Sequence, residues 1–278
     1  MRLFNKYRGV WSVCENSLDT IYPYIKDYSF YMDKAGNIVV TNTEKEDVPA
    51  FCCHLDTVHR AAPVITCLGE DFLVSFNGQG VGGDDKCGIV ACLELLKSVE
   101  CKCIFFRQEE HGCVGSKQFD TKTLSKNLFL IEIDRKGNKD LIFNSGGQLL
   151  CSDDFKKAVK KCFPKYEEAR GIMTDVNVLG KAGINMMNVS SGYYNPHTKE
   201  EYVCLSDLQR TINCLIKFAK EYKTQEKYVR IEEKRVYYPK TNSSFDSIKW
   251  TEPIQQENES DESLLRYMQR LGYAEKDF

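Results

Sequence analysis

The chain has 278 residues, 42% of them hydrophobic, which is enough to bury a substantial core as one large domain or one domain with an appendage. Its 38 basic and 40 acidic residues leave a formal charge of -2, which argues against a nucleic-acid or anionic-membrane surface. The 13 cysteines are an odd number in a chain too long and too apolar to need disulfide staples; with no signal-like leader in MRLFNKYRGVW and no run approaching the roughly 20 apolar residues of a membrane span, a soluble protein of the reducing cytoplasm is expected.

Apolar runs then alternate with helical patterns along the chain. Residues 38 to 41 (IVVT) and 49 to 53 (PAFCC) read as strands, the second running into His54. Residues 85 to 98 (DKCGIVACLELLKS) carry Ile89, Val90, Leu93, Leu95 and Leu96 and predict a largely buried helix that starts at Asp84-Asp85. Residues 101 to 106 (CKCIFF) and 128 to 134 (LFLIEID) predict two more strands, the first ending just before Glu109-Glu110 and the second on Asp134. Ser152 followed by acidic residues is a good start for a helix over 152 to 162. Residues 184 to 190 (INMMNVS) read as a further strand, and 206 to 222 (SDLQRTINCLIKFAKEY) as an amphipathic closing helix. The fold class that follows is α/β, with a mixed, largely parallel sheet sandwiched by helices.

Composition changes after Tyr222. The catalytic unit is therefore expected over 1–222, followed over 223–278 by a polar linker, exemplified by QQENESDES, and a C-terminal helix packing back on that unit. Leu264, Leu265, Met268 and Leu271 form the apolar stripe of that helix, within 262 to 273. There is no internal repeat.

Five short segments carry the chemistry: His54-Leu55-Asp56, Asp84-Asp85, Glu109-Glu110, Asp134 and His197. Four of them follow, or lie within a few residues of, a predicted strand, where α/β folds place their sites. Two divalent metals a few ångströms apart need one carboxylate between them, terminal ligands on either side and a shared water. His54, Asp84, Glu110, Asp134 and His197 supply two imidazoles and three carboxylates, a set that zinc accepts and that cobalt or manganese also occupies. Asp56 is spaced to accept the second ring N–H of His54 and fix its tautomer. Glu109, beside a ligand, is free to take a proton from the water and return it to a departing amine.

The series HLD, DDKCG, EEHGCVGS, IDR and NPHTKEE resembles the co-catalytic dizinc exopeptidase and amidohydrolase superfamily, which includes peptidase T and the dizinc aminopeptidases, over roughly residues 38 to 215. The resemblance implies His54 and Asp134 on one metal, Glu110 and His197 on the other, Asp84 bridging, Glu109 as base and Asp56 as the histidine orienter. It leaves Asp85 as a helix-capping residue. Peptidase T-like relatives usually insert a lid domain between the late Asp and the distal His, but only 62 residues separate Asp134 from His197 here. A lidless member is expected, with any second-domain contribution to substrate binding absent or supplied by the tail or by another subunit, so that a homo-oligomer fits the reading.

Each residue has a plainer competitor. An isolated His-x-Asp is more often a hydrogen-bonded surface pair, and Glu109-Glu110 alone would be solvated charge. His59 and His111 fall outside the pattern and read as pocket-wall or surface residues. Cys52, Cys53, Cys101 and Cys103 read as core packing rather than thiolate ligands, and the glycines of FNGQGVGGDDK as turns beneath Asp84 rather than a phosphate loop. Tyr193 or Tyr194 offers either an oxyanion donor or aromatic wall, and Arg135 either a substrate-carboxylate anchor or a structural ion pair. The function expected is metal-dependent hydrolysis of the amide bond of short peptides, as an aminopeptidase or di/tripeptidase. An N-acyl amino acid deacylase and a binding protein on a retired hydrolase fold are the alternatives.

Overall fold

The computed structural model describes residues 1–230; the expected C-terminal helix at 262 to 273 lies outside the described residues. Three short helices open the chain, α1 (Arg2–Lys6), α2 (Arg8–Trp11) and α3 (Leu18–Ile25), none of them anticipated. Each buries only two apolar residues, too few for a 3.6-residue period to show. The strands and helices that follow are β1 (Ser29–Met32), β2 (Ile38–Thr41), β3 (Ala50–His54), β4 (Ile65–Leu68), β5 (Phe72–Ser75), α4 (Gly83–Leu95), β6 (Lys102–Phe106), α5 (Val114–Gln118) and β7 (Leu130–Arg135). The second half adds β8 (Asp140–Ser145), β9 (Gln148–Leu149), α6 (Asp153–Cys162), β10 (Glu167–Gly171), α7 (Asp175–Val178), β11 (Met186–Ser190), β12 (Tyr193–Tyr194), β13 (Tyr202–Cys204) and α8 (Leu205–Glu221).

Among the described residues nine strands form the main sheet, in the order β1-β2-β6-β3-β7-β11-β8-β10 with β9 on β8. Its centre, β6, β3, β7 and β11, runs parallel, while β2 on β6 and β8 on β11 are antiparallel. The central strands are buried on both faces, which explains why AFCC is a continuous apolar run and LIEI, apart from the buried Glu132, nearly one, rather than alternating. Helix α4 is buried almost all round because it sits against β3 and β7 with α8 on its other side. Helix α8 buries Leu208, Ile212, Leu215 and Phe218 and leaves the opposite face to solvent. Phe218 packs on Phe129, and both meet Phe155 of α6, whose first turn is capped by the Ser152 hydroxyl accepting from the Phe155 N–H. A second sheet, β12-β13-β5-β4, was not legible from the alternation of hydrophobicity; its strands have two to four residues.

Parallel β3, β6 and β7 all deliver their C-terminal ends to one edge, which gathers His54, the Glu109-Glu110 loop and Asp134. Between Asp134 and His197 the chain builds the rest of the main sheet with α6 and α7, and no inserted domain intervenes. No helix among the described residues is long and apolar enough to cross a membrane. Past α8, the Tyr228 N–H donates to the Gly183 carbonyl and the Arg230 guanidinium to the carbonyls of Val176 and Asn177, so residues 228 and 230 lie against the preceding α/β unit.

Candidate metal centre

Asp84 stands at the middle of the cluster. Its Oδ1 lies 3.1 Å from His54 Nε2 and its Oδ2 3.2 Å from His197 Nε2. His54 Nε2 is in turn 3.8 Å from Asp134 Oδ1, and His197 Nε2 is 3.0 Å from Glu110 Oε1. One oxygen of Asp84 therefore faces the pair His54 and Asp134, and the other faces Glu110 and His197. The five residues expected as ligands converge at the strand ends.

The residues fit a pair of cations for two reasons. Glu110 Oε1 is buried with no aligned hydrogen-bond donor, and His197 Nε2 lies 3.0 Å from it at ion-pair distance; a metal cation there would take the place of the proton that now pairs the two. Like charge also accumulates. The Asp134 carboxyl is raised well above the usual range by its burial and then by Asp84, Asp85 and Glu109, with His54 opposing. The imidazoles are raised as well, by the acids around them. His197 is pushed up to about 10 by Asp84 and Glu110 against partial burial, and His54 is raised because Asp134, Asp56 and Asp84 outweigh the burial that would lower it. Divalent cations among these groups would satisfy the acids and release the imidazole protons.

Ligand atoms of His54, Asp84 and Glu110 lie within 4.8 Å of one another, as do those of His54, Asp85 and Asp134. We discount Asp85. Its Oδ1 accepts the Gly88 N–H of α4 at 2.8 Å and its Oδ2 the His54 N–H at 3.3 Å, so both oxygens are spent on the main chain. Beyond the expected capping of α4, it ties that helix to β3. The Asp84–Asp85 peptide bond is cis.

Asp56 acts differently from the expectation. The ring Nδ1 of His54 lies 2.9 Å from the Asp56 main-chain carbonyl, while the nearer carboxylate oxygen is 3.5 Å away. The tautomer is fixed by the carbonyl, and the carboxylate instead accepts the N–H groups of Glu109 at 3.0 Å and Glu110 at 3.2 Å. One aspartate thus holds the histidine with its backbone and the acidic loop with its side chain. Glu109 is partly buried, and burial followed by Glu110 and Asp84 raises its carboxyl pKa against the opposing pull of His54. That is the direction a general base near neutral pH requires.

Several supporting residues carry no mark in the sequence. Asn188 on β11 accepts the Asp134 N–H at 3.0 Å and donates to its carbonyl at 2.7 Å. The Tyr193 hydroxyl donates to Asp134 Oδ1 at 2.9 Å and the Tyr194 hydroxyl to Asp207 at 2.6 Å, so both serve the scaffold rather than an oxyanion. Arg135 is paired with Asp140 at 3.0 Å, the structural outcome of its two readings. His59 is partly exposed, and its Nε2 meets the buried Glu201 at 2.9 Å. His111 is exposed, 3.7 Å from Asp56. Cys52, Cys53, Cys101 and Cys103 are buried as free thiols in the core. Behind Glu109 lies a second acidic pair, Glu132 and Asp175, linked through the Asp175 N–H and the Thr174 hydroxyl, with Ser116 donating to Asp175.

Peptidase family M28 matches the chain over residues 37–221. No curated protein sequence matches it. Among solved structures, aminopeptidase PepT from Bacillus cereus ATCC 10987 superposes with a TM-score of 0.68 at 14% identity, covering 80% of this chain and 98% of that one. A tripeptidase from Staphylococcus aureus subsp. aureus mu50 gives 0.67 at 14% identity, with 80% and 98% covered. The Pyrococcus horikoshii TET1 peptidase, which can assemble into a tetrahedron or a large octahedral shell, gives 0.60 at 15% identity, with 78% and 99% covered. At these identities the superpositions speak to the fold.

Proposed function

Because the chain belongs to peptidase family M28, we propose that it hydrolyses the peptide bond of short peptides as an aminopeptidase or di/tripeptidase, with two divalent cations, zinc by the donor set, held by His54, Asp84, Glu110, Asp134 and His197. The observation that carries this reading is the division of Asp84, one oxygen toward each imidazole–carboxylate pair. Bound there, the cations would polarise the scissile carbonyl and acidify a water.

The rest falls to the chain. Glu109, held at the cleft by the Asp56 carboxylate, takes the proton from the attacking water and delivers it to the departing nitrogen, a cycle favoured by its raised pKa. His54 and Asp134 are fixed by the Asp56 carbonyl, Asn188 and Tyr193, so the water meets a preset arrangement. With Arg135 engaged by Asp140, the deacylase reading loses the anchor proposed for a substrate carboxylate.

The test combines metal content with a panel of free-amine dipeptides and tripeptides, N-blocked peptides and N-acyl amino acids, assayed with and without chelator. Chelator-sensitive cleavage of the free-amine peptides alone is the expected result. Release from N-acyl substrates, or turnover that survives metal removal, would overturn the proposal.

A further inference from the structure

Among the described residues, one buried acid at this edge has no part in the chemistry above. Glu201 is 2% exposed, on the turn between His197 and β13. Its Oε2 accepts the Gly82 N–H at 2.6 Å and faces His59 Nε2 at 2.9 Å, and its Oε1 accepts the Asp84 N–H at 3.1 Å. The Gly80 N–H donates to the other ring nitrogen of His59 at 3.3 Å, so the ring hydrogen resides on Nε2 and points at Glu201. Three N–H groups thus converge on two oxygens, and only a side chain that accepts at both oxygens satisfies them all.

The glycine run is shaped around this contact. A Cβ at Gly80 would lie 2.3 Å from His59 Nε2, a Cβ at Gly83 would lie 2.6 Å from Val203 Cγ2, and Gly82 takes a left-handed φ of 69°. The main chain therefore folds closely over the His59–Glu201 pair and emerges at Asp84.

We propose that Glu201, braced by His59, is a positioning residue: it clamps the main chain of residues 80 to 84 and so sets where the two oxygens of Asp84 fall relative to His54 and His197. The inference rests on the dinuclear reading above. An aspartate that must serve two cations at once tolerates little displacement, and a shift of its main chain weakens both positions together. The Glu201→Gln variant keeps the volume but turns an NH2 donor toward an existing N–H donor, releasing one side of the clamp. The His59→Ala variant removes the brace alone.

Zinc titration against a competing chelator, on metal-free wild type, Glu201→Gln and His59→Ala, tests the clamp, with the melting temperature of each metal-free form as the control for folding. The expected result is two zinc ions bound by wild type, both weakened by about 10- to 100-fold in folded Glu201→Gln, and a smaller weakening of both in His59→Ala. A purely structural role would lower the metal-free melting temperature and leave the zinc affinity of the folded variants unchanged, and that result overturns the inference. Should Glu201→Gln fail to fold, His59→Ala decides in the same way. Absence of zinc binding in wild type overturns the dinuclear reading itself, a result distinct from wild-type zinc affinity persisting in the variants.

Discussion

The two sides of Asp84 are built differently. On one side His54 and Asp134 close the ends of central strands, 1% and 8% exposed, and each is held by main-chain or buried partners. On the other, Glu110 lies on the loop beyond β6, and His197 occupies a turn with a φ of 65° and a side chain 53% exposed. The sheet thus encloses one proposed cation position and leaves the other on the exposed side, where the His197 ring meets solvent. The contrast teaches that the scaffold and the open face of one site come from different kinds of structure, strand ends and loops, joined by a single carboxylate.

Removing the joint should have the largest effect. Asp84→Ala is expected to lose both cations and all measurable turnover, read by metal analysis after dialysis; retention of one full equivalent would show that the two sides are independent. Next in size, Glu109→Gln leaves both sides intact and should keep its metals while turnover falls about 100- to 10,000-fold. Near-normal kcat in that variant would remove Glu109 from the chemistry.

The asymmetry itself is sharpened by comparing the two imidazoles. His197→Ala should weaken the outer cation and lower the metal-free melting temperature modestly, since its half-exposed ring pairs with Asp84 and Glu110, whereas His54→Ala should weaken the inner cation and lower that temperature further, because it strips a fully buried partner from buried acids. Equal behaviour of the two variants in calorimetry would contradict the division.

The smallest effect concerns the acids behind Glu109. Asp175 is raised to about 7, first by burial and then by neighbouring acids including Glu109, against the Ser116 hydrogen bond. Its folded pKa exceeds its unfolded value near 3.9, so its contribution to stability is complete below about pH 4 and is lost as pH rises through about 7. In metal-free protein the melting temperature should therefore fall between pH 4 and pH 8, and by less in Asp175→Asn. An identical pH dependence in the two proteins would show that Asp175 does not carry this proton.

Much of this architecture was legible because burial on both faces writes itself as predominantly apolar runs: AFCC and CIFF became β3 and β6, and LIEI and MMNV, each broken by one buried polar residue, became β7 and β11. Four of the five ligand candidates stand at or just past such a run or at a helix start; His197, seven residues beyond Ser190, was marked only by the likeness of NPHTKEE to the family pattern. The second sheet was not, since strands of two to four residues carry no measurable period. Long-range partners were also hidden. Asp56 reaches Glu109 and Glu110 across 53 and 54 residues, and Glu201 reaches Asp84 across 117. Local spacing suggested that the Asp56 carboxylate would take the His54 ring, yet the main-chain carbonyl two residues on was closer. For Glu201 the one available signal was its place in NPHTKEEY, as the second of two acids of which only the first is exposed.

The central claim is that two cations sit on either side of Asp84. Diffraction from zinc-loaded crystals, recorded on both sides of the zinc absorption edge, addresses it directly. The account predicts two anomalous peaks, one among His54, Asp84 and Asp134 and one among Asp84, Glu110 and His197; a single peak, or peaks away from Asp84, would contradict it.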